Sequence, residues 1–449
     1  MSWLLLGGVL LGACQVWKPT ASGEYQPQPQ PMGPLTIGVW LPAGLDEFRF
    51  GPADQQHLLD LGLNTLEWVQ RTGQDSATAE ERVMEFCSRT GLRMPVYYEP
   101  RGYSPYDKLR NWATRTEVDS TFAAEVRRRV LGLRGQWGEA PGFWGYLVGH
   151  EDYQRAFYPA LRATVEILQE EDGARPAIAV GRLDHFRAPE EFLDAFFPAS
   201  GNPNIFQHEH YVFRADLSGS GEKVQEALDQ LARSYEQVAW RLQGRNGRWQ
   251  AIVQAHAEWR ERELYYRKPS AGELRVQAGM ALARGAAGII YFLYSSGVEE
   301  LLDARGQVRG RWAYEGLVDA QGIPTESFGA ARQLSAQLRQ AGQVLELLHF
   351  HGFFSSSRLR DNPLVRQGEA DLDFGLFGDG EHPTHLLVVN RRPEQARRVA
   401  LELRPGMELR FGTVADALQG TPLPSPEGRV ELELEAGGFR LLELRETIP

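Results

Sequence analysis

Residues 145 to 152 read Gly-Tyr-Leu-Val-Gly-His-Glu-Asp, an apolar run that stops abruptly at His150, Glu151 and Asp152. Carboxyl groups at the end of a buried strand suit general acid and base work, because burial and neighbouring charges move them out of their ordinary titration range. The layout recurs along the chain. Apolar runs lead into Glu67, Trp68 and Gln70, into Tyr98 and Glu99, into Asp184 and His185, and into Gln207, His208, Glu209, His210 and Tyr211. Later runs lead into Gln254, His256 and Glu258, and into Tyr294 and Ser295. Five of the ten histidines fall in this set, a concentration that favours a site over scatter.

The elements that must position these groups are eight strand-like runs, at 35 to 42, 64 to 70, 93 to 100, 143 to 150, 177 to 184, 204 to 213, 249 to 259 and 287 to 296. Most are separated by helix-like segments, and strands alternating with helices read as parallel βαβ units. Eight such units predict a (β/α)8 TIM barrel over 35–345, whose C-terminal strand ends converge on one cavity. Gly145, Leu147, Gly149 and Glu151 share one strand face by two-residue alternation, as do Gln254, His256 and Glu258 if the seventh strand stays regular. From about 346 short alternating runs such as LDFGLFG, THLLVVNRR and RVELELEAG predict a C-terminal antiparallel β-sandwich over 346–449.

Glycoside hydrolysis needs two carboxyl groups, one protonated to assist the leaving group and one ionised as nucleophile or base. They stand about 5 to 5.5 Å apart for retention and about 6.5 to 9.5 Å for inversion. Glu151 and Glu258 are the candidate catalytic pair, with Glu261, Glu263 or Glu209 as other choices for the second carboxylate. Trp68, Glu99, His150, Asp152, Asp184, His208, Glu209, His210, Tyr211, Gln254, His256 and Tyr294 are the candidate substrate-binding residues.

The matching elements IGVWLP, LLDLGLNTLEWV, FWGYLVGHED, ELRVQAGMALARGAAGIIYFLYSSG and GLVDAQGIPTESFGAARQL span residues 35 to 340. In them the chain resembles the clan A barrel glycoside hydrolases, nearest to family-42 β-galactosidase-like proteins. That resemblance implies an acid/base Glu at the end of strand four, which maps to Glu151, and a nucleophile at the end of strand seven, which maps to Glu258. Clan members place Asn before the strand-four Glu, to bind the sugar 2-hydroxyl; here that position is His150, and no Asn-Glu pair occurs in the sequence.

Two other classes stay open. A degenerate barrel would bind glycan without turning it over. A metal-dependent hydrolase could draw on His208 and His210, two apart on one strand, with His150, His256 and Asp184. No GxGxxG or Walker loop occurs, and no cofactor is expected. The formal charge of -11 argues against nucleic acid as a partner.

The N-terminus carries the apolar run LLLGGVLLGA, too short to span a bilayer and suited to a signal-peptide core. Leu11-Gly12-Ala13-Cys14 resembles the bacterial lipobox, which implies that 1–14 is a lipoprotein signal peptide with its lipobox cysteine and that Cys14 becomes the lipidated first residue of the mature chain. The region before it, Met1-Ser2-Trp3, lacks the usual Lys or Arg. The Gln- and Pro-rich stretch within 15–34 suits an extended tether. The expected setting is the cell envelope, with a lipid anchor as the only membrane contact. Cys87 falls on the apolar face of a helix and reads as a packing residue.

Overall fold

Residues 30–41, 50–67, 76–97, 117–151, 154–199, 201–217, 221–302, 307–405 and 413–445 are described by the structure, a computed structural model. Cys14, most of the expected tether, Trp68, Glu99 and Asp152 lie outside the described residues. Among the described residues no helix is long and apolar enough to cross a membrane.

The first half of the barrel runs β1 (Thr36–Trp40), α1 (Pro52–Asp60), β2 (Thr65–Glu67), α2 (Ser76–Thr90), β3 (Met94–Tyr97), α3 (Ser120–Trp137), β4 (Phe143–His150) and α4 (Tyr158–Asp172). It continues through β5 (Ala177–Gly181), α5 (Pro189–Phe196), β6 (Asn204–Glu209), α6 (Gly221–Leu242) and β7 (Gly247–Gln254). Two short strands follow, β8 (Ala257–Arg260) and β9 (Glu263–Tyr266), then α7 (Ala271–Leu282) and β10 (Gly288–Phe292). A second pair, β11 (Gly297–Leu302) and β12 (Val308–Glu315), precedes the closing helix α8 (Glu326–Leu345).

The eight barrel strands pair in parallel in the order β2-β1-β10-β7-β6-β5-β4-β3. The circle closes through a parallel bridge between Thr65 and Arg93, with Leu66 N–H donating to the Arg93 carbonyl at 2.8 Å. Each predicted strand is present, and most stop earlier than the apolar runs suggest. The seventh differs most. Past Gln254 the chain leaves the barrel, and β8 joins an antiparallel sheet of order β11-β12-β8-β9. Alternation runs unbroken through Gln254, His256 and Glu258, so the sequence cannot signal that the strand has changed partners.

Strand parity sorts the apolar residues into two layers. Trp40, Leu147, Ile178, Val180, Ile205, Ile252 and Ile290 fill the barrel, while their neighbours face the helices. Helix α6 shows the outer layer plainly: Val224, Ala227, Leu228, Leu231, Tyr235 and Val238 are buried at the spacing of one helical face. Cys87 is likewise buried, on α2. Helix α7 is buried along almost its whole surface, with no polar side. The cause is a second covering layer.

That layer is the C-terminal sandwich. One sheet has the order β13-β15-β16-β21-β18-β19, from β13 (His349–Ser355), β15 (Leu372–Gly378), β16 (Pro383–Asn390), β21 (Phe439–Arg445), β18 (Thr413–Asp416) and β19 (Thr421–Leu423). The other is β14 (Val365–Gly368), β17 (Arg397–Leu403) and β20 (Arg429–Leu434). Leu386, Val388, Leu442 and Leu444 face the small sheet across a core of their own, while Leu387, Val389 and Leu441 join the barrel core. The larger sheet is therefore buried on both faces. Gly279 of α7 lies so close to it that a Cβ would stand 2.8 Å from a Val389 methyl. Arg284, after α7, donates to Asp373 of β15 at 2.7 Å and to Glu236 of α6 at 3.0 Å, and both Arg284 and Asp373 are 1% exposed. Removing one partner of such a buried pair costs about 3–5 kcal/mol, because the other charge is left unpaired in the interior.

Candidate active site

The barrel mouth is built from the last residues of the strands and from the hairpin that rises out of β7. On the fourth strand the pairing register with β5 slips between Leu147 and Gly149. The simple alternation that grouped Gly145, Leu147, Gly149 and Glu151 does not survive this slip. His150 comes instead beside the interior Trp40, with ring centroids 5.7 Å apart. Glu151 follows with a left-handed φ of 55°, its N–H donating to the Val180 carbonyl at 2.9 Å, and its side chain is half-buried.

Glu258 reaches the same region from β8. It is 4% exposed, and one carboxylate oxygen accepts from Arg260 Nε at 2.7 Å while the other stands 3.8 Å from His256 Nε2. Burial alone would raise its pKa; His256 and the Arg260 guanidinium outweigh that and hold it below the ordinary value. Glu258 is thus ionised across neutral pH, as a nucleophile or base must be. The Arg260 guanidinium is itself braced over the rings of Tyr265 and Trp312, at 3.6 and 4.7 Å.

His256 lies in the two-residue break between β7 and β8. Its Nδ1 is 2.9 Å from the Phe292 carbonyl, which can only accept, so Nδ1 carries a proton and Nε2 is turned toward Glu258. Around it stand Tyr211, Phe292 and Tyr314, with centroids 5.0, 4.9 and 6.0 Å from the imidazole. Tyr211 stacks on Phe292 at 5.4 Å. Burial first, then the charges of Glu209 and Glu151, raise the Tyr211 phenol well above its usual pKa.

Buried polar atoms are rarely left without a partner in a folded protein, and exceptions call for an explanation. At this end of the barrel the exceptions cluster: Trp40 Nε1, Glu67 Oε2, Gln207 Oε1, Tyr211 Oη and His256 Nε2 have no hydrogen-bond partner among the described residues. Beneath the mouth, Gln207 Nε2 donates to Glu67 at 2.7 Å and to Gln250 at 3.0 Å. Gln250 in turn donates to Thr36 Oγ1 at 2.9 Å. Glu67 is fully buried, and desolvation pushes its pKa up to about 7 against the smaller opposing effect of Gln207.

Of the residues expected at the site, the structure brings His150, Glu151, Glu209, Tyr211, His256 and Glu258 to the mouth. The other five described candidates have different surroundings. His208 faces the helix layer: Leu183 N–H donates to its Nδ1 at 3.3 Å and Nε2 contacts Ser234 of α6 at 2.8 Å. Burial drives its pKa down to about 3, so it is a neutral packing histidine. Gln254 is consumed in tying loops together, accepting from Phe213 N–H and donating to the Phe213 and Arg267 carbonyls. Tyr294 donates to Asp54 of α1 at 2.9 Å. Asp184 is exposed and forms a two-bond pair with Arg182, both at 2.8 Å. Burial opposes ionisation there, but Arg182 lowers the Asp184 pKa overall. His210 is 7% exposed, and burial pushes its pKa down to about 3. Among the described residues, no group of three His, Cys, Asp or Glu side chains could hold a metal ion.

The sequence reading passed over Trp40, Tyr266, Phe292 and Tyr314 as site residues. Trp40 was detectable as the last residue of the run IGVW. Tyr266 and Tyr314 were not, because they belong to the antiparallel excursion.

No protein-family model matches the chain. No curated protein matches it. Among solved structures, it is similar to a β-galactosidase from Rahnella sp. R3 at 11% identity, covering 72% of this chain and 58% of that one with a TM-score of 0.51. A β-galactosidase from the psychrophilic Marinomonas ef1 aligns at 13% identity over 69% of this chain and 60% of that one, with a TM-score of 0.47. This chain therefore spans about three fifths of the length of these β-galactosidases. A family 27 β-L-arabinopyranosidase from Geobacillus stearothermophilus aligns at 11% identity over 92% of this chain and 98% of that one, with a TM-score of 0.52. At such identities the likeness is one of architecture: the chain has the (β/α)8 barrel fold, and its likeness to the arabinopyranosidase extends over nearly its whole length.

Proposed function

We propose that the chain is a glycoside hydrolase of the clan A barrel type, akin to family-42 β-galactosidase-like proteins, acting on carbohydrate at the cell envelope. Glu151 is the acid/base and Glu258 the nucleophile or base. The observation that carries this reading is a buried Glu258 beside His256 in an aromatic wall, at the same barrel end where β4 delivers Glu151, with buried polar atoms there that have no partner among the described residues. Tyr211, Phe292 and Tyr314 offer the faces on which sugar C–H groups stack. Trp40 Nε1, Tyr211 Oη and His256 Nε2 supply hydrogen bonds to hydroxyls. In the reaction Glu151 donates its proton to the departing glycosidic oxygen as the C–O bond breaks; ionised Glu258 either bonds to the electron-poor carbon, to be displaced by a water that Glu151 then deprotonates, or takes the proton of a water that bonds there directly. Cys14 lipidation would tether the enzyme to the membrane through the segment 15–34.

The test is hydrolysis of a panel of aryl glycosides and oligosaccharides by the full-length chain, with Glu151→Gln and Glu258→Gln variants and a chelator control. Turnover that survives chelator and fails in both variants is the expected result. Undiminished turnover in Glu151→Gln would reject the acid/base assignment, and loss on chelation alone would point to metal-dependent hydrolysis. A second reading, a glycan-binding barrel without turnover, is favoured by Arg260 already occupying one oxygen of Glu258 and by His150 standing where clan members carry Asn. Saturable sugar binding with no hydrolysis would decide for it.

A further inference from the structure

The opposite end of the barrel holds a cavity of about 180 Å³ that the proposed reaction does not use. Its walls are the first residues of the strands and those just before them: Thr36 opens β1, Arg93 precedes β3, Trp144 is the second residue of β4 and Arg248 the second of β7. No carboxylate lines it among the described residues. Arg93 lays its guanidinium over the Trp144 ring at 5.0 Å, and Arg248 donates only to the Pro31 carbonyl at 3.3 Å. Neither has an acidic partner among the described residues.

Half-buried arginines are ordinarily paired, because removing a guanidinium from water without a counter-charge is costly. Burial depresses the pKa of both, and no neighbouring carboxylate offsets it. Two cationic forks facing one cavity match the geometry of an oxyanion, which each can grip through two N–H groups. Thr36 adds to the set: its Oγ1 accepts from Gln250, which leaves the hydroxyl proton to donate.

We infer that the barrel floor is a binding site for a small oxyanion, a phosphate, a sulfate or a carboxylate, held by Arg93 and Arg248 with Thr36. The cavity has room for several waters and hence for a tetrahedral anion. Through Gln250 and Gln207 the site is joined by hydrogen bonds to Glu67 beneath the mouth. The inference is independent of the proposed activity, since a chain that turns over no sugar would bind the anion equally.

Calorimetric titration of the full-length chain with inorganic phosphate, sulfate and glucuronate, at constant ionic strength set with chloride, is the test. Saturable binding of at least one of them is expected, weakened at least about tenfold in Arg93→Gln and in Arg248→Gln, since each removes charged hydrogen bonds. Which anion binds identifies its source, inorganic or sugar acid. No saturable binding of any of the three, or binding unchanged in both variants, overturns the inference. Phenylglyoxal labelling of the unmutated chain, read by peptide mass mapping, keeps the test valid if a variant fails to fold. The bound anion must protect Arg93 and Arg248, and equal labelling with and without it is the contrary result.

Discussion

The two ends of the barrel are built from the same eight strands and carry opposite chemistry. At the mouth stand Glu151 and Glu209, at the ends of their strands, and Glu258, beside His256 and its aromatic neighbours Tyr211 and Phe292. At the floor, Arg93 and Arg248 face a cavity without an acid. Thr36, Gln250, Gln207 and Glu67 connect the two ends through the interior. A barrel core is usually filled by branched apolar side chains in layers. Here one line of that filling is polar, so protonation at the upper end and anion occupancy at the lower end share a hydrogen-bonded path.

The comparison is most directly broken at Glu151. Glu151→Gln keeps the shape of the side chain and removes its proton transfer, for which a loss of about 10²–10⁴ in kcat is expected. Steady-state kinetics on the best aryl glycoside measures it, and a loss under tenfold would leave the mouth without its acid.

Glu67 sharpens the comparison through pH. Its folded pKa of about 7 lies above its ordinary 4.5, so between those values the folded chain keeps a proton that the unfolded chain has released. This group's stabilising contribution is full below pH 4.5, declines as pH rises, and is gone above about 7. Glu67→Gln mimics the protonated form, and relative to the parent it should gain up to about 3 kcal/mol at pH 8 and almost nothing at pH 4. Urea unfolding at the two pH values reads this difference, and equal effects at both would refute the buried-carboxyl account.

His208 and His256 separate packing from chemistry. His208→Ala empties a buried site and strands Ser234, which should cost about 1–3 kcal/mol of stability while leaving kcat and KM within about twofold. A large fall in kcat with normal stability would return His208 to the site. The smallest effect is expected at the floor. Arg248→Gln deletes a half-buried charge that has no acidic partner among the described residues, and in anion-free buffer stability should rise by about 0.5 kcal/mol or stay level. A drop of several kcal/mol would mean that Arg248 is structural.

Much of the fold was legible because it depends on short-range pattern. Eight apolar runs, a helix-like stretch after most of them, and the change to brief alternating strands after residue 346 are properties of local composition, and each corresponds to an element of the structure. The position of His150 and Glu151 at the end of the fourth strand was equally local. Other residues show where such reading stops. Glu258 continues the alternation of the seventh strand yet belongs to a different sheet, because pairing partners are chosen by chain segments as distant as Val308–Glu315. His208 and His256 are both histidines beside a strand end. One packs against a helix that begins at Gly221, and the other faces the mouth from a break in the chain.

By itself, then, the sequence determined the class of fold, the order of its layers and the chemical types available at each strand end, since these follow from hydrophobic periodicity and turn chemistry along the chain. Only the tertiary structure decided which of those groups meet. The register slip in β4, the excursion after β7 and the guanidiniums beneath the barrel arise from contacts between residues far apart in sequence, and no local pattern encodes the partner at the other end of such a contact.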